Sequence, residues 1–151
     1  MVPRIVLDTN VFVSALISAS GLSRELLRRC LQGQCLPLMG NALFTEYESV
    51  IHRKDVLTRC PLSPDEIQTL LAALMGVCQW VSIYYLWRPN LQDEGDNHLL
   101  ELAIAGNARA IITGNTKDFQ RAELLFPDLL ILTPEMFIRR LQDGNINNSS
   151  S

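Results

Sequence analysis

The chain has few of the residues that most often carry catalysis or bind soft metals. It contains two histidines, His52 and His98, far apart and without zinc-ligand spacing, and both read as surface side chains. Its four cysteines (Cys30, Cys35, Cys60, Cys78) form no C-x-x-C pair and lie in apolar stretches. That pattern favours buried, reduced thiols over disulfides or a zinc site. Glycine-rich phosphate loops, Ser-His-Asp sets and Cys-His pairs are absent from the sequence. No apolar run reaches the ~18 residues a membrane span needs, and no secretion-type segment opens the chain. A cytoplasmic protein with no membrane partner is the expectation.

Excess charge of one sign is lacking too. The formal net charge is −3 and the pI is near 5.3, whereas proteins that grip long nucleic acid by phosphate neutralisation alone are usually basic. Of the thirteen positive charges, all but Lys54 and Lys117 are arginine. They cluster at Arg24, Arg28, Arg29 and at Arg53, Lys54, with Arg24 and Arg28 sharing a helix face. A solvated face and a patch for a nucleic-acid backbone are equally open readings.

What the chain does have is core-forming material. At 151 residues and 48% apolar, it is expected to form one domain over residues 1–142, followed by a disordered polar tail over 143–151. Short apolar runs predict strands at 5–7, 35–39, 81–85, 110–113 and 129–132. Pro37 places the second of these at a sheet edge. Between them, helices are predicted over 11–19, 23–31, 41–54, 64–78, 96–106 and 134–141, with a polar loop over 86–95. Ser23, Asn41, Ser63 and Thr133 stand where helices open. Ser63-Pro64-Asp65-Glu66 combines a serine cap, proline at the first helical position and glutamate three after the cap. Strands alternating with helices give an α/β class: a three-layer α/β/α domain with a four- or five-stranded, mostly parallel sheet.

Acidic and amide side chains stand at the ends of these strands. Asp8-Thr9-Asn10 follows the first one directly, and ligands of open parallel sheets bind at the carboxyl ends of strands. Thr113-Gly114-Asn115 repeats the pattern after the fourth. On the wheel of the 96–106 helix, with Leu99 at zero, the apolar arc centres near about 40° and Asp96 falls at about 60°. Asp96 is therefore either a site carboxylate or an ordinary helix cap. Glu101, at about 200°, is expected on the solvent side. Glu46 and Glu48 flank the apolar face of the 41–54 helix, and geometry does not choose between them. Oxygen donors from two strand ends suit a hard cation such as Mg2+ or Mn2+.

Asp8-Thr9-Asn10-Val11, Glu46, Asp96-Asn97-x-x-Leu100-Glu101-Leu102-Ala103 and Ile112-Thr113-Gly114-Asn115 resemble, in order and spacing, the PIN-domain nucleases. Within these, the chain is similar to the VapC-like toxin ribonucleases of bacterial toxin–antitoxin pairs. The resemblance spans residues 4 to about 141. It implies an acidic pocket for one or two Mg2+ or Mn2+ ions, cleavage of RNA, a homodimer and inhibition by a separately encoded antitoxin. Carried onto this sequence, it implies Asp8, Glu46, Asp96 and Asn115 as catalytic positions, with Asp8 and Asp96 as metal ligands. Thr9, Asn10 and Thr113 support them, and the resemblance favours Glu46 over Glu48. Asn115 departs from the aspartate many members carry; Asp118 or Asp93 is a candidate for the missing charge. The competing expectation is a degenerate, non-catalytic PIN-like module that binds RNA or protein.

Overall fold

A central strand of three consecutive buried aliphatic residues organises the domain. Ile5, Val6 and Leu7 of β1 (Arg4–Leu7) bury both faces of the strand, as a parallel sheet covered on two sides requires. The computed structural model describes residues 2–18, 21–83 and 94–144, and for 94–97 the backbone alone. β2 (Leu36–Met39), β3 (Gln79–Trp80), β4 (Ala110–Ile112) and β5 (Leu130–Leu132) complete a five-stranded sheet in the order β3-β2-β1-β4-β5. Every pairing is parallel. The expected three-layer α/β/α architecture is what the chain adopts.

The helices are α1 (Thr9–Ile17), α2 (Leu22–Leu31), α3 (Asn41–Val50), α4 (Lys54–Arg59), α5 (Pro64–Val77), α6 (Glu94–Ala105), α7 (Gln120–Leu125) and α8 (Pro134–Gln142). The chain steps from β1 out to β3, then returns across the sheet to β4. Right-handed crossovers therefore set α1, α2 and α5 on one face and α6 on the other, while α3 touches both α1 and α6. α2 packs against α1, α5 and α8, while α6 lies on β1, β2 and β4. No helix among the described residues is long and apolar enough to cross a membrane.

Local chemistry explains most of the boundaries. Ser63 accepts from the Glu66 amide while the Glu66 carboxylate accepts from the Ser63 amide, closing a capping box on α5. Thr133 caps α8 through the Met136 amide, ahead of Pro134. Gly33, at φ 81°, lies one residue past the C-cap of α2, where left-handed backbone favours glycine.

Other boundaries differ from expectation, each for a physical reason. β2 is an interior strand, not an edge, despite Pro37. Leu36 donates its amide to Pro3 on the β1 side, so the Pro37 nitrogen faces the other way, where β3 begins only opposite Leu38. β3 itself is Gln79–Trp80 rather than 81–85; both residues are exposed at the sheet edge, which needs no apolar run. Of the predicted strand, 84–85 lie outside the described residues, as do 86–93 of the predicted loop. α3 stops at Val50 because Arg53 turns extended, and α4 follows around buried Val56. A 3-10 turn (Thr116–Phe119) and α7 bury only Phe119 and Ala122, too weak a pattern to read in advance. Gly21 and Gly40, not Ser23 and Asn41, hold the N-cap positions of α2 and α3. The tail over 145–151 lies outside the described residues.

Candidate functional site

The register of the sheet brings the first two groups together. Leu7 pairs with Ile112, so Asp8 and Thr113 leave β1 and β4 side by side at the carboxyl lip. The Thr113 hydroxyl donates to Asp8 Oδ2 at 2.8 Å, and the Asn10 side-chain amide donates to the same oxygen at 3.4 Å. Asn10 Oδ1 in turn accepts from the Gly114 amide at 3.1 Å, and Thr113 Oγ1 accepts from the Asn115 amide at 3.0 Å. The two strand ends are thus laced by side chains that start from Asp8. Beneath them, the fully buried Tyr47 of α3 donates its hydroxyl to the Leu7 carbonyl at 2.8 Å, and its ring stacks on Phe12.

α3 supplies the second carboxylate. Thr9, next to Asp8, donates its hydroxyl to Glu46 Oε1 at 2.6 Å. The other oxygen, Oε2, lies 3.1 Å from Nε2 of His98 on α6. His98 stands two residues beyond Asp96, so the first turns of α6 meet α3 where Glu46 emerges. Three remote segments therefore converge at one lip: the end of β1, the middle of α3 and the start of α6. Glu48 is exposed on α3, so the structure brings Glu46 and not Glu48 to the other groups.

The electrostatics of this corner are unusual for a structural carboxylate. Asp8 is 9% exposed. Burial pushes its carboxyl above the ordinary aspartate range, and the neighbouring Glu46 charge adds to that rise. The Thr113 hydroxyl and the amides of Thr9 and Asn10 pull the other way without prevailing. The two side chains that hydrogen-bond Asp8 are neutral, Thr113 and Asn10. Among the described residues no lysine or arginine pairs with Asp8 or Glu46. A buried carboxylate beside a second one, with hydroxyl and amide oxygens around it, suits a hard divalent cation. The donor set fits such an ion.

Most of the predicted residues fall among the described ones. Asp8, Thr9, Asn10, Glu46 and Thr113 form one hydrogen-bonded group, and Asn115 joins it through its backbone amide. Asp96 is in the first turn of α6, and its side chain is outside the described residues, as Asp93 is altogether. Asp118 is exposed in the 3-10 turn, its amide bonded to the Asn115 carbonyl. Among the described residues no group of three His, Cys, Asp or Glu side chains is arranged to hold a metal. The arginine cluster is engaged internally: Arg24 donates to the Ala15 and Leu16 carbonyls at the end of α1, Arg28 and Arg29 pair with Glu25, and Arg53 pairs with Asp55. All four cysteines are free thiols; Cys30 and Cys35 are buried as expected, whereas Cys60 and Cys78 are only half-buried.

Two readings of α6 need correction. His98 is no surface residue: its side chain is 17% exposed and faces Glu46. Glu101, expected toward solvent, is 8% exposed. The sheet covers one side of α6 and α3 covers the flank carrying His98. Glu101, three residues further on, shares that flank. A one-sided wheel cannot anticipate a helix enclosed on two sides. The available signal for His98 was its place, about 40° outside the apolar arc and two residues from a candidate carboxylate.

Residues 4–117 match the sequence model of a protein family described as PIN domain. The match covers most of the chain. This protein belongs to the PIN domain family. PIN domains have a nuclease-like fold and are generally nucleases acting on nucleic acids, typically with divalent metal ions. In this PIN domain, the matched region holds β1 to β4 and every hydrogen bond of the acidic corner just described. No curated protein matches the chain.

Proposed function

We propose that the protein is a divalent-metal-dependent endoribonuclease acting at the β1–α3–α6 lip. The observation that carries this reading is Asp8: a buried carboxylate at the end of the central strand, bonded by neutral side chains and set beside Glu46. Asp8 and Asp96 would hold Mg2+ or Mn2+. Such an ion, when bound, acidifies water, orients the scissile phosphate and offsets charge developing on the leaving oxygen. The chain's own groups do the positioning. Thr113 and Asn10 fix the Asp8 carboxylate through Oδ2, and Thr9 fixes Glu46 through Oε1. Glu46 serves as a further ligand or as the group that orients the attacking water and takes its proton. Asn115 contributes a side-chain amide at the rim.

The finer assignment, a toxin ribonuclease held in check by a separately encoded antitoxin and working as a cytoplasmic homodimer, is supported by the likeness of the Asp8, Glu46, Asp96 and Thr113-Gly114-Asn115 motifs to VapC-like proteins. Labelled single-stranded RNA with Mn2+ or Mg2+ tests the activity: cleavage that EDTA stops and Asp8→Asn abolishes is the expected result. Asp8→Asn protein that cuts at the wild-type rate refutes the assignment. One observation favours a second reading, a non-catalytic module that binds RNA or protein: Asn115 brings no charge to the rim where many relatives of this type carry an aspartate. Wild-type protein that binds RNA tightly and never cleaves it, at any divalent concentration, supports that module instead.

A further inference from the structure

Glu46 is held at both of its oxygens, and only one of the two holders lies in the motifs that mark the site. Thr9 takes Oε1 at 2.6 Å. His98 lies 3.1 Å from Oε2. A half-exposed glutamate on a helix would ordinarily sample several rotamers, since its side-chain torsions are free and water satisfies it equally in each. Two donors arriving from α1 and α6 remove that freedom. They also tie α3 to the first turns of α6, where Asp96 stands. His98 itself is well fixed: its side chain is 17% exposed, and its Nδ1 atom is buried without a hydrogen-bond partner among the described residues. Among the described residues, Glu46 is the partner its ring reaches.

We propose that His98 is a positioning residue for the metal-dependent reaction, holding the Glu46 carboxylate in place through its Nε2–H and fixing the start of α6 against α3. Nε2 carries the proton and donates; the Glu46 oxygen accepts. The role rests on the nuclease reading of the site and is exerted through Glu46. Groups that orient a ligand in this way typically change metal affinity or turnover by roughly 10- to 100-fold when removed. An exposed histidine at the same place would do neither.

The test compares the full-length protein with His98→Phe, which keeps the ring volume and loses the donor, and with His98→Gln, which keeps an N–H. Mn2+ affinity by titration calorimetry and RNA cleavage are read together, with melting temperature as the control for folding. The expected result for His98→Phe is Mn2+ affinity weakened, or kcat reduced, by roughly 10-fold or more, with the KM for RNA little changed, and substantial recovery in His98→Gln. In a cycle with Glu46→Ala, the His98 change should add almost nothing to Mn2+ affinity, because its effect passes through Glu46. If His98→Phe does not fold, His98→Met carries the same comparison. Wild-type Mn2+ affinity and kcat in a folded His98→Phe protein, or full additivity in the cycle, overturn the positioning role and leave the nuclease reading standing. Wild-type protein that neither binds Mn2+ nor cleaves RNA overturns both.

Discussion

Removing a single oxygen from Tyr47 tests how the site is anchored to the core. Leu7, the residue before Asp8, turns its carbonyl toward β2, because the Asp8 amide already points to Ile112 on β4. By the register of the two strands, β2 ends opposite Leu7 and bends into α3. The Tyr47 hydroxyl takes the place of the missing ladder amide at 2.8 Å. Tyr47→Phe keeps the ring and its stack on Phe12, whose centroid is 4.6 Å away, and deletes only this bond. Leaving a buried carbonyl unpaired costs ~1–3 kcal/mol. For a chain of this size, ~2 kcal/mol lowers the melting temperature by about 4–8 °C.

The pH dependence makes the same prediction sharper. Burial pushes the Tyr47 phenol well above the ordinary tyrosine range. Above pH ~10 the unfolded chain therefore loses this proton while the native chain keeps it. The native state then binds more protons, and stability falls with pH by ~1.4 kcal/mol per unit from this group alone. Tyr47→Phe has no such group, so its deficit against wild type should shrink as pH climbs from 9 to 11. Thermal melts of both proteins across that range measure it. Half-buried Cys78, with its thiol pushed up to about 12, and Cys30, raised by its contact with Cys35 and then by burial, add alkaline slopes of their own. Those slopes are common to both proteins and cancel in the difference. A deficit that is below ~0.5 kcal/mol at neutral pH, or that does not change with pH, refutes the buried-bond account.

Three further outcomes are expected. Without divalent metal, Asp8→Asn should be at least as stable as wild type at pH 7: the raised carboxyl makes the native state bind more protons from the ordinary aspartate range up to its own, so wild-type stability falls as pH rises through that window. Melts from pH 4 to 7 check this, and a marked loss of stability in Asp8→Asn argues against it. Thr113→Val deletes the donor to Asp8 and the acceptor of the Asn115 amide, and should cost ~1–3 kcal/mol in denaturant melts while moving the Asp8 titration, followed by NMR, further up. Asn115→Asp adds a carboxylate at the rim and should bring cleavage to half-maximum at a lower Mn2+ concentration; an unchanged metal dependence places residue 115 outside the reach of the ion.

The class of fold and the strand ends that matter were written in the chain itself. Buried aliphatic runs at Ile5–Leu7 and Ala110–Ile112, followed at once by oxygen-bearing side chains, are local signals that period and composition carry. The capping box at Ser63 and the Thr133-Pro134 start are equally local, and both formed where they were read. Whatever depends on which element covers which was decided by tertiary structure. Pro37 sits in an interior strand because its neighbour β3 starts one residue too late to need its amide. Glu46 rather than Glu48 joins the acidic corner beside Asp8 because Thr9 and His98 reach it, contacts that span 37 and 52 positions of sequence. Glu101 and His98 left the solvent because α6 is enclosed on two sides. Sequence periodicity reports one buried face per element, whereas the convergence of Asp8, Glu46 and the start of α6 is a property of packing between elements.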